Sequence, residues 1–154
     1  MTDLLRPAPD ERSVAELLSF GVANLDKPAG PSAHQVAAWV RDLADDAVDE
    51  LDSELDSEEV GVDRAAHAGT LDPKVTGCLP MLLGEATRMA QVFLEGRKEY
   101  VSVLELHAPA PTNIESVLAE FEAPLYQKPP RKSAVSRRLR VREIHELSLL
   151  DLQD

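Results

Sequence analysis

The residues best suited to chemistry lie in one eleven-residue stretch, His-Ala-Gly-Thr-Leu-Asp-Pro-Lys-Val-Thr-Gly, from His67 to Gly77. Pro73 fixes its own φ and keeps Asp72 away from helical backbone angles. Gly69 and Gly77 permit positive φ or a close backbone approach. An isolated Leu-Asp-Pro would indicate only a turn. The whole stretch predicts a stiff loop that presents one carboxylate, a setting in which catalytic groups are often found.

This stretch, continued by Cys78, resembles the catalytic motif of the TruB/dyskerin family of pseudouridine synthases. The match is long and nearly free of gaps, and the resemblance extends from about Gly21 to Asp154. In that family the aspartate is the indispensable catalytic residue, which implies the same role for Asp72. The reaction breaks the C1′–N1 bond of a uridine and rejoins the uracil through C5. It requires no redox change, phosphate transfer or metal, so we expect no cofactor and no metal site.

Four further residues receive substrate-site roles from the resemblance. Lys27 lies in Leu-Asp-Lys-Pro-Ala-Gly-Pro-Ser-Ala-His, the family's first motif, where it either supports the active-site loop or contacts phosphate. Tyr100 ends Lys-Glu-Tyr, the second signature, in which the tyrosine stacks on the target base. His67 is placed to contact the displaced nucleotide or the backbone beside it, and its alternative is an unpaired core histidine. Thr70 is assigned to the same substrate site.

The charge of the chain is divided unevenly. The net charge is −12, yet the segment 128–142 holds seven cations and no acid, which leaves −19 for the rest. This proline-stiffened loop resembles the archaeal and eukaryotic branch of the family. A solvated charged surface is one interpretation, but the contrast favours contacts with RNA phosphates. The residues assigned to the RNA backbone are Lys128, Arg131, Lys132, Arg137 and Arg138.

An acidic block occupies residues 42–63, where eleven carboxylates and no basic residue occur. Blocks of like charge repel, so we expect a solvated or disordered insertion. The block lacks the glycine and the ligand spacing of a calcium loop. The excess of acids is typical of proteins from salt-loving organisms, in which surface carboxylates maintain solubility.

The pattern of apolar residues predicts the elements around the loop. An N-terminal arm and short helix occupy residues 1–20, and a strand follows over Gly21–Asp26. Ser32 is a good N-cap for a helix whose apolar face contains Trp39. A buried strand is expected over Cys78–Leu83, with an inert thiol at Cys78. Further strands are predicted over Lys98–His107 and within Val141–Leu152.

Composition limits the class of protein. A length of 154 residues suffices for one domain, and an aromatic content of 4% requires an aliphatic core. One cysteine excludes an internal disulfide and favours a reducing compartment, hence the cytoplasm. We see no membrane span and no signal peptide.

The family implies an α+β fold: a mixed, largely antiparallel sheet with flanking helices, here incomplete at the C-terminus. Relatives continue into a Gly-Thr-Tyr-Ile-Arg type motif, whose arginine pairs with the catalytic aspartate, and the 154 residues lack it. Residues 21–154 therefore resemble the N-terminal part of a catalytic domain. The expected partners are tRNA, through uridine 55, or guide RNA and rRNA with the accessory proteins of a box H/ACA ribonucleoprotein. The alternative is a non-catalytic RNA-binding or assembly remnant.

Overall fold

The computed structural model describes residues 7–55, 62–131 and 136–153. Contacts between residues divide the chain into two compact units, Met1–Glu99 and Tyr100–Asp154. The chain was expected to form one domain, and its residue contacts give two compact units.

The first unit contains most of the regular structure. Its helical elements are a 3₁₀ turn at Pro9–Glu11, α1 at Val14–Ser19, α2 at Ala33–Leu55, a second 3₁₀ turn at Glu85–Met89, and α3 at Ala90–Glu95. Its strands are β1 at Phe20–Lys27, β2 at Ala65–His67 and β3 at Gly77–Gly84. The predicted first strand and the predicted strand after the catalytic loop are thus both confirmed.

The three strands form one antiparallel sheet in the order β1-β3-β2. Alternate residues of β3 point to opposite faces of this sheet. Leu79 and Met81 pack in a core cluster with residues of α2, whereas Leu82 packs with Ala86 on the other side. The buried apolar residues described are all aliphatic, as the low aromatic content predicts.

Helix α2 begins at a capping box. The Gln35 backbone N–H donates to Ser32 Oγ at 3.2 Å, and the Ser32 N–H donates to Gln35 Oε1 at 2.9 Å. The expected inward face was wrong at Trp39, which is 54% exposed, and Leu43 one turn farther along is 67% exposed. Small side chains set the buried stripe, because they let the helix lie close to the sheet; it comprises Ala33, Val36, Ala37, Ala44 and Val48.

Of the two alternatives expected for the acidic block, the solvated one is confirmed where side chains are described, and the disordered one is wrong over residues 42–55. Helix α2 extends to Leu55, so residues 42–55 are helical rather than disordered. The carboxylates of this part whose side chains are described are exposed, at Asp42, Asp45, Asp46, Asp49 and Glu50. Buried Ala44 and Val48 anchor the helix from its other side, so the charges remain solvated while the backbone is ordered. Residues 56–61 of the block lie outside the described residues.

The second unit is described by α4 at Ile114–Ala119 and by the antiparallel pair β4 at Pro124–Gln127 and β5 at Arg140–Glu143. The strand predicted over Lys98–His107 is absent from the described residues, and the expected strand after Val141 ends at Glu143. Val101 and Val103 are 82% and 98% exposed. Alternating side chains in the sequence indicate the two faces of a strand, but they do not show that a neighbouring strand is present. An extended segment without such a neighbour forms no ladder of hydrogen bonds.

Two other findings concern the sequence-based expectations. Cys78 is exposed, so the prediction of a buried thiol was wrong. It points away from its buried neighbour Leu79, and the residues covering the opposite face pack on Leu82, farther along β3.

Among the described helices, none combines the length and apolarity that crossing a membrane requires.

Candidate active site

The loop that carries Asp72 joins two strands that pair with each other, β2 and β3. At its start the Ala68 N–H donates to the Pro80 carbonyl at 2.8 Å. At its tip the Val75 N–H donates to the Asp72 carbonyl at 2.9 Å, which closes a turn. Gly77 ends the loop at φ 118°, a value that favours glycine. The aspartate is therefore held at a turn anchored at both ends, and it is exposed.

Lys27 is the buried support of this turn. Its side chain is 1% exposed, and Nζ donates to the carbonyls of Pro28 at 3.0 Å, Asp72 at 3.3 Å, Pro73 at 3.4 Å and Val75 at 2.7 Å. An ammonium group has three protons and needs acceptors when it leaves water. These carbonyls supply them, and three belong to the loop itself. This arrangement favours the supporting role of Lys27 over a contact with phosphate.

A second bond joins the two motif loops. The Gly30 N–H donates to the Pro73 carbonyl at 2.8 Å, and Gly30 itself has φ 123°. Sequence reasoning placed a Pro- and Gly-containing motif after the first strand but did not predict its bond to the Asp72 loop. The clustered Pro and Gly residues were the only hint of this bond in the local sequence, because they indicate a fixed backbone conformation. They do not indicate which segment that backbone bonds to.

His67 and Thr70 precede Asp72 in the segment that begins at the end of β2. His67 ends β2 and is half-buried, and its Nδ1 is buried without a hydrogen-bond partner. Thr70 is exposed. Both residues therefore belong to the same loop region as Asp72.

Tyr100 belongs to the second unit and is 62% exposed, which excludes a core position for its ring. Lys98 of the same signature has a structural role that sequence reasoning missed. Its Nζ donates to the carbonyls of Phe93 at 2.9 Å, Leu94 at 2.6 Å and Gly96 at 2.6 Å, at the end of α3. A lysine just past a helix C-terminus was the signal for this cap.

The basic segment is largely solvated. Lys128, Arg131, Arg137 and Arg138 are exposed, and Lys132 lies outside the described residues. The Arg137 Nε–H donates to the carbonyl of buried Pro129 at 3.3 Å, which fixes part of its side chain against the loop. The cations are thus free to meet an anionic partner.

Asp72 lies on an open surface. Two cavities of the first unit, of about 290 and 540 Å³, are lined by other residues. Within the described ranges, no group of three or more His, Cys, Asp or Glu residues could hold a metal ion. The described structure therefore fixes the backbone of the aspartate but leaves its carboxylate in solvent.

Comparison with known proteins agrees with this geometry. The family model for the N-terminal domain of TruB family pseudouridylate synthases matches residues 58–113, and the model for the DKCLD (NUC011) domain matches residues 7–37. "Probable tRNA pseudouridine synthase B" of Haloarcula marismortui is 60% identical over 97% of this chain and 43% of its own length. The protein of the same name from Halobacterium salinarum is 58% identical over 96% of this chain and 44% of its own.

Solved structures give the same result. A Cbf5-Nop10-Gar1 complex contains a chain that matches with a TM-score of 0.70 and 41% identity, over 94% of this chain and 40% of that one. An H/ACA RNP bound to a substrate RNA containing 2′-deoxyuridine contains another, with a TM-score of 0.67 and 37% identity over 94% and 38%.

The Asp72 loop and the strands β2 and β3 lie within the segment that matches the N-terminal domain of TruB family pseudouridylate synthases. The chain belongs to the TruB/dyskerin family, and the relatives described above are archaeal. It spans about two fifths of the length of those relatives.

Proposed function

We propose that this chain serves the conversion of uridine to pseudouridine in RNA, with Asp72 as the catalytic residue. The observation that carries the proposal is the clamp by Lys27, which bonds to the carbonyl of Asp72 itself and fixes the turn from behind. A carboxylate held by its backbone and free at its side chain is suited to meet a substrate that approaches from solvent.

The chemistry is an isomerisation, so every atom of the uridine is retained. The C1′–N1 bond breaks, the uracil rotates, a C1′–C5 bond forms, and the C5 proton is transferred to N1 with solvent exchange. Asp72 can attack the sugar or the base covalently, or stabilise a glycosyl cation. Since the ionised form is required in each role, loop N–H groups are the natural donors to the carboxylate.

The target base must leave its stack, at a cost of a few kcal/mol. Stacking on the exposed ring of Tyr100 offsets part of this, at about 1–3 kcal/mol per base. His67 and Thr70 contact the displaced nucleotide or its backbone. The basic segment neutralises phosphates outside the site, through Lys128, Arg131, Lys132, Arg137 and Arg138.

Two RNA targets fit the relatives. The haloarchaeal proteins are named as tRNA enzymes, which suggests uridine 55 of the TΨC loop of tRNA. The structural neighbours occur in H/ACA complexes, which suggests guide-RNA-directed sites in rRNA and small accessory proteins as partners. A tRNA transcript and a guide–target RNA pair, assayed side by side, separate the two.

The test measures tritium release from 5-labelled uridine in RNA, with the protein in excess over RNA. We expect the 154-residue chain to be far slower than a full-length relative, because it spans about two fifths of such a relative's length and its carboxylate is open to solvent. Asp72→Asn should abolish the remaining release, whereas Asp151→Asn, an exposed aspartate of the other unit, should leave it unchanged. Release that persists in Asp72→Asn would overturn the catalytic assignment, and turnover equal to a full-length relative would contradict the expected weakness.

A further inference from the structure

A cavity of about 290 Å³ lies beside Asp72's loop, between the N-terminal half of α2 and strand β2. Its charged and polar lining consists of His34 and Arg41 from α2 and His67 from β2, and alanines complete the wall. His34 and Arg41 are seven residues apart, which places them two turns apart on one helix face. A water molecule takes about 30 Å³ in the liquid, so the cavity has room for a small oxyanion or for several waters.

The charge of this lining is unusual for the molecule. The chain has a net charge of −12, and exposed carboxylates follow Arg41 along the same helix. None of them lines the cavity. A concave site that contains one cation and two further polar side chains but no carboxylate favours an anion locally, even on an acidic protein.

Arg41 retains donors for a ligand. It pairs with a single oxygen of Asp42, through Nη2 at 2.6 Å and Nε at 3.0 Å. The two side chains are 48% and 61% exposed, and ion pairs at such positions contribute little. A guanidinium has five N–H donors, so the protons on Nη1 stay available for a second anion.

The tautomer of the His67 ring follows from the missing hydrogen-bond partner of its buried nitrogen. Nδ1 is buried and has no hydrogen-bond partner, so a proton there would be both desolvated and unpaired. This favours the tautomer that carries the proton on Nε2, which makes Nε2–H the donor of the neutral ring. An oxyanion in the cavity would accept that hydrogen bond.

We propose that this cavity binds a phosphate group, and that in the RNA-bound protein this group is one phosphodiester of the substrate. The second clause rests on the proposed function and deepens it, because the site would bind the strand at His67, the first residue of the stretch that carries Asp72. Phosphate recognition by itself requires only the cavity.

The first arm of the test uses inorganic phosphate and the 154-residue chain. Potassium phosphate replaces potassium chloride at constant ionic strength, while NMR follows the imidazole signals of His34 and His67. We expect saturable shifts, at least a fivefold weaker affinity in Arg41→Gln, and a tighter affinity in Asp42→Asn, which removes the competing carboxylate. Arg64→Gln, an exposed arginine paired with Asp63 and Glu85 and absent from the cavity lining, is the matched control. Circular dichroism checks that each variant is folded.

The second arm measures RNA affinity as a function of potassium chloride. Loss of one phosphate contact should reduce the slope of log K against log[salt] by about 0.7–0.9 in Arg41→Gln and not in Arg64→Gln. Phosphate shifts that depend on Arg41 without a change in slope would leave a site for free phosphate and overturn the RNA assignment. Shifts that fail to saturate, or that Arg41→Gln leaves intact, would overturn the site itself. A chain that binds phosphate at Arg41 but no RNA would contradict the proposed function and, with it, the RNA assignment, while the phosphate site itself would be supported.

Discussion

Lys27→Met tests whether one buried ammonium group holds the turn at Asp72 in place. Methionine keeps the length and apolar stem of the side chain but removes the donor. Two of the four carbonyls keep another partner, because Asp72 O accepts from Val75 N–H and Pro73 O from Gly30 N–H. The carbonyls of Pro28 and Val75 have no other hydrogen bond among those described for the structure.

The magnitude follows from that difference. Pro28 is exposed and Val75 half-buried, so water can replace part of the lost hydrogen bonding. A carbonyl that loses its partner out of reach of water costs about 1–3 kcal/mol. Because relief from desolvating a cation offsets part of the total, we expect a net loss of about 1–3 kcal/mol for the two carbonyls together. Such a loss is a large fraction of the roughly 5–15 kcal/mol that stabilises an ordinary domain.

Urea unfolding measures the effect. With m-values of about 1–3 kcal/mol/M, we expect the midpoint of Lys27→Met to fall by about 1 M at an unchanged slope. Amide exchange at Val75 and Gly30 should accelerate in the same variant, because the turn loses its support. Lys74→Met is the control, since Lys74 lies exposed in the same loop and should change stability by less than about 0.5 kcal/mol. Equal stability of the two variants would refute the clamp.

Three further predictions concern neighbouring parts of the first unit. Gly77→Ala should lower the free energy of unfolding in urea by about 1–2 kcal/mol, because the φ of Gly77 is 118°. Gly69→Ala should lower it by less, because a Cβ there meets no atom within 4 Å and Gly69 has no positive φ. Equal losses in the two variants would contradict the role of backbone strain. Met81→Ala should destabilise the folded chain by about 2–5 kcal/mol, because Met81 is 0% exposed. Trp39→Ala should destabilise it by much less, because Trp39 is 54% exposed. The reverse order would mean that the assigned face of α2 is wrong. Cys78 should react with a disulfide reagent in the folded chain about as fast as in urea, and strong protection would show that its thiol is buried after all.

The sequence predicted the parts of the fold that local chemistry determines. The strand before Lys27, the Ser32 cap and the strand after Gly77 each have a strong signal in side-chain type and spacing. The Trp39 face failed because burial of a helix depends on how closely it can approach its neighbour. Alanines allow a close approach, and a period of 3.6 fits more than one stripe in a helix as rich in small residues as α2.

In the candidate site, too, the sequence predicted local backbone features but not contacts between distant segments. The position of Asp72 on a stiff loop followed from Asp-Pro and the flanking glycines. The bonds from Lys27 to the loop span 45 to 48 residues of sequence, and no local pattern encodes them. The strand expected around Tyr100 failed for a related reason, since a sequence states which faces a strand would have and leaves its neighbour unspecified.

The distribution of charge bears on how an acidic chain could bind RNA as proposed above. The exposed carboxylates Asp45, Asp46, Asp49 and Glu50 follow Arg41 along α2, and salt screens their repulsion of phosphate, with a Debye length of about 3 Å at 1 M. Asp42 differs from them because it bonds directly to Arg41. Contacts with Arg41, His67 or the exposed cations near Arg137 act at hydrogen-bond distance, where screening is weak. High salt therefore removes more of the repulsion than of the direct contacts. For a chain whose relatives include proteins of Haloarcula and Halobacterium, this separation by distance reconciles a net charge of −12 with binding to a polyanion.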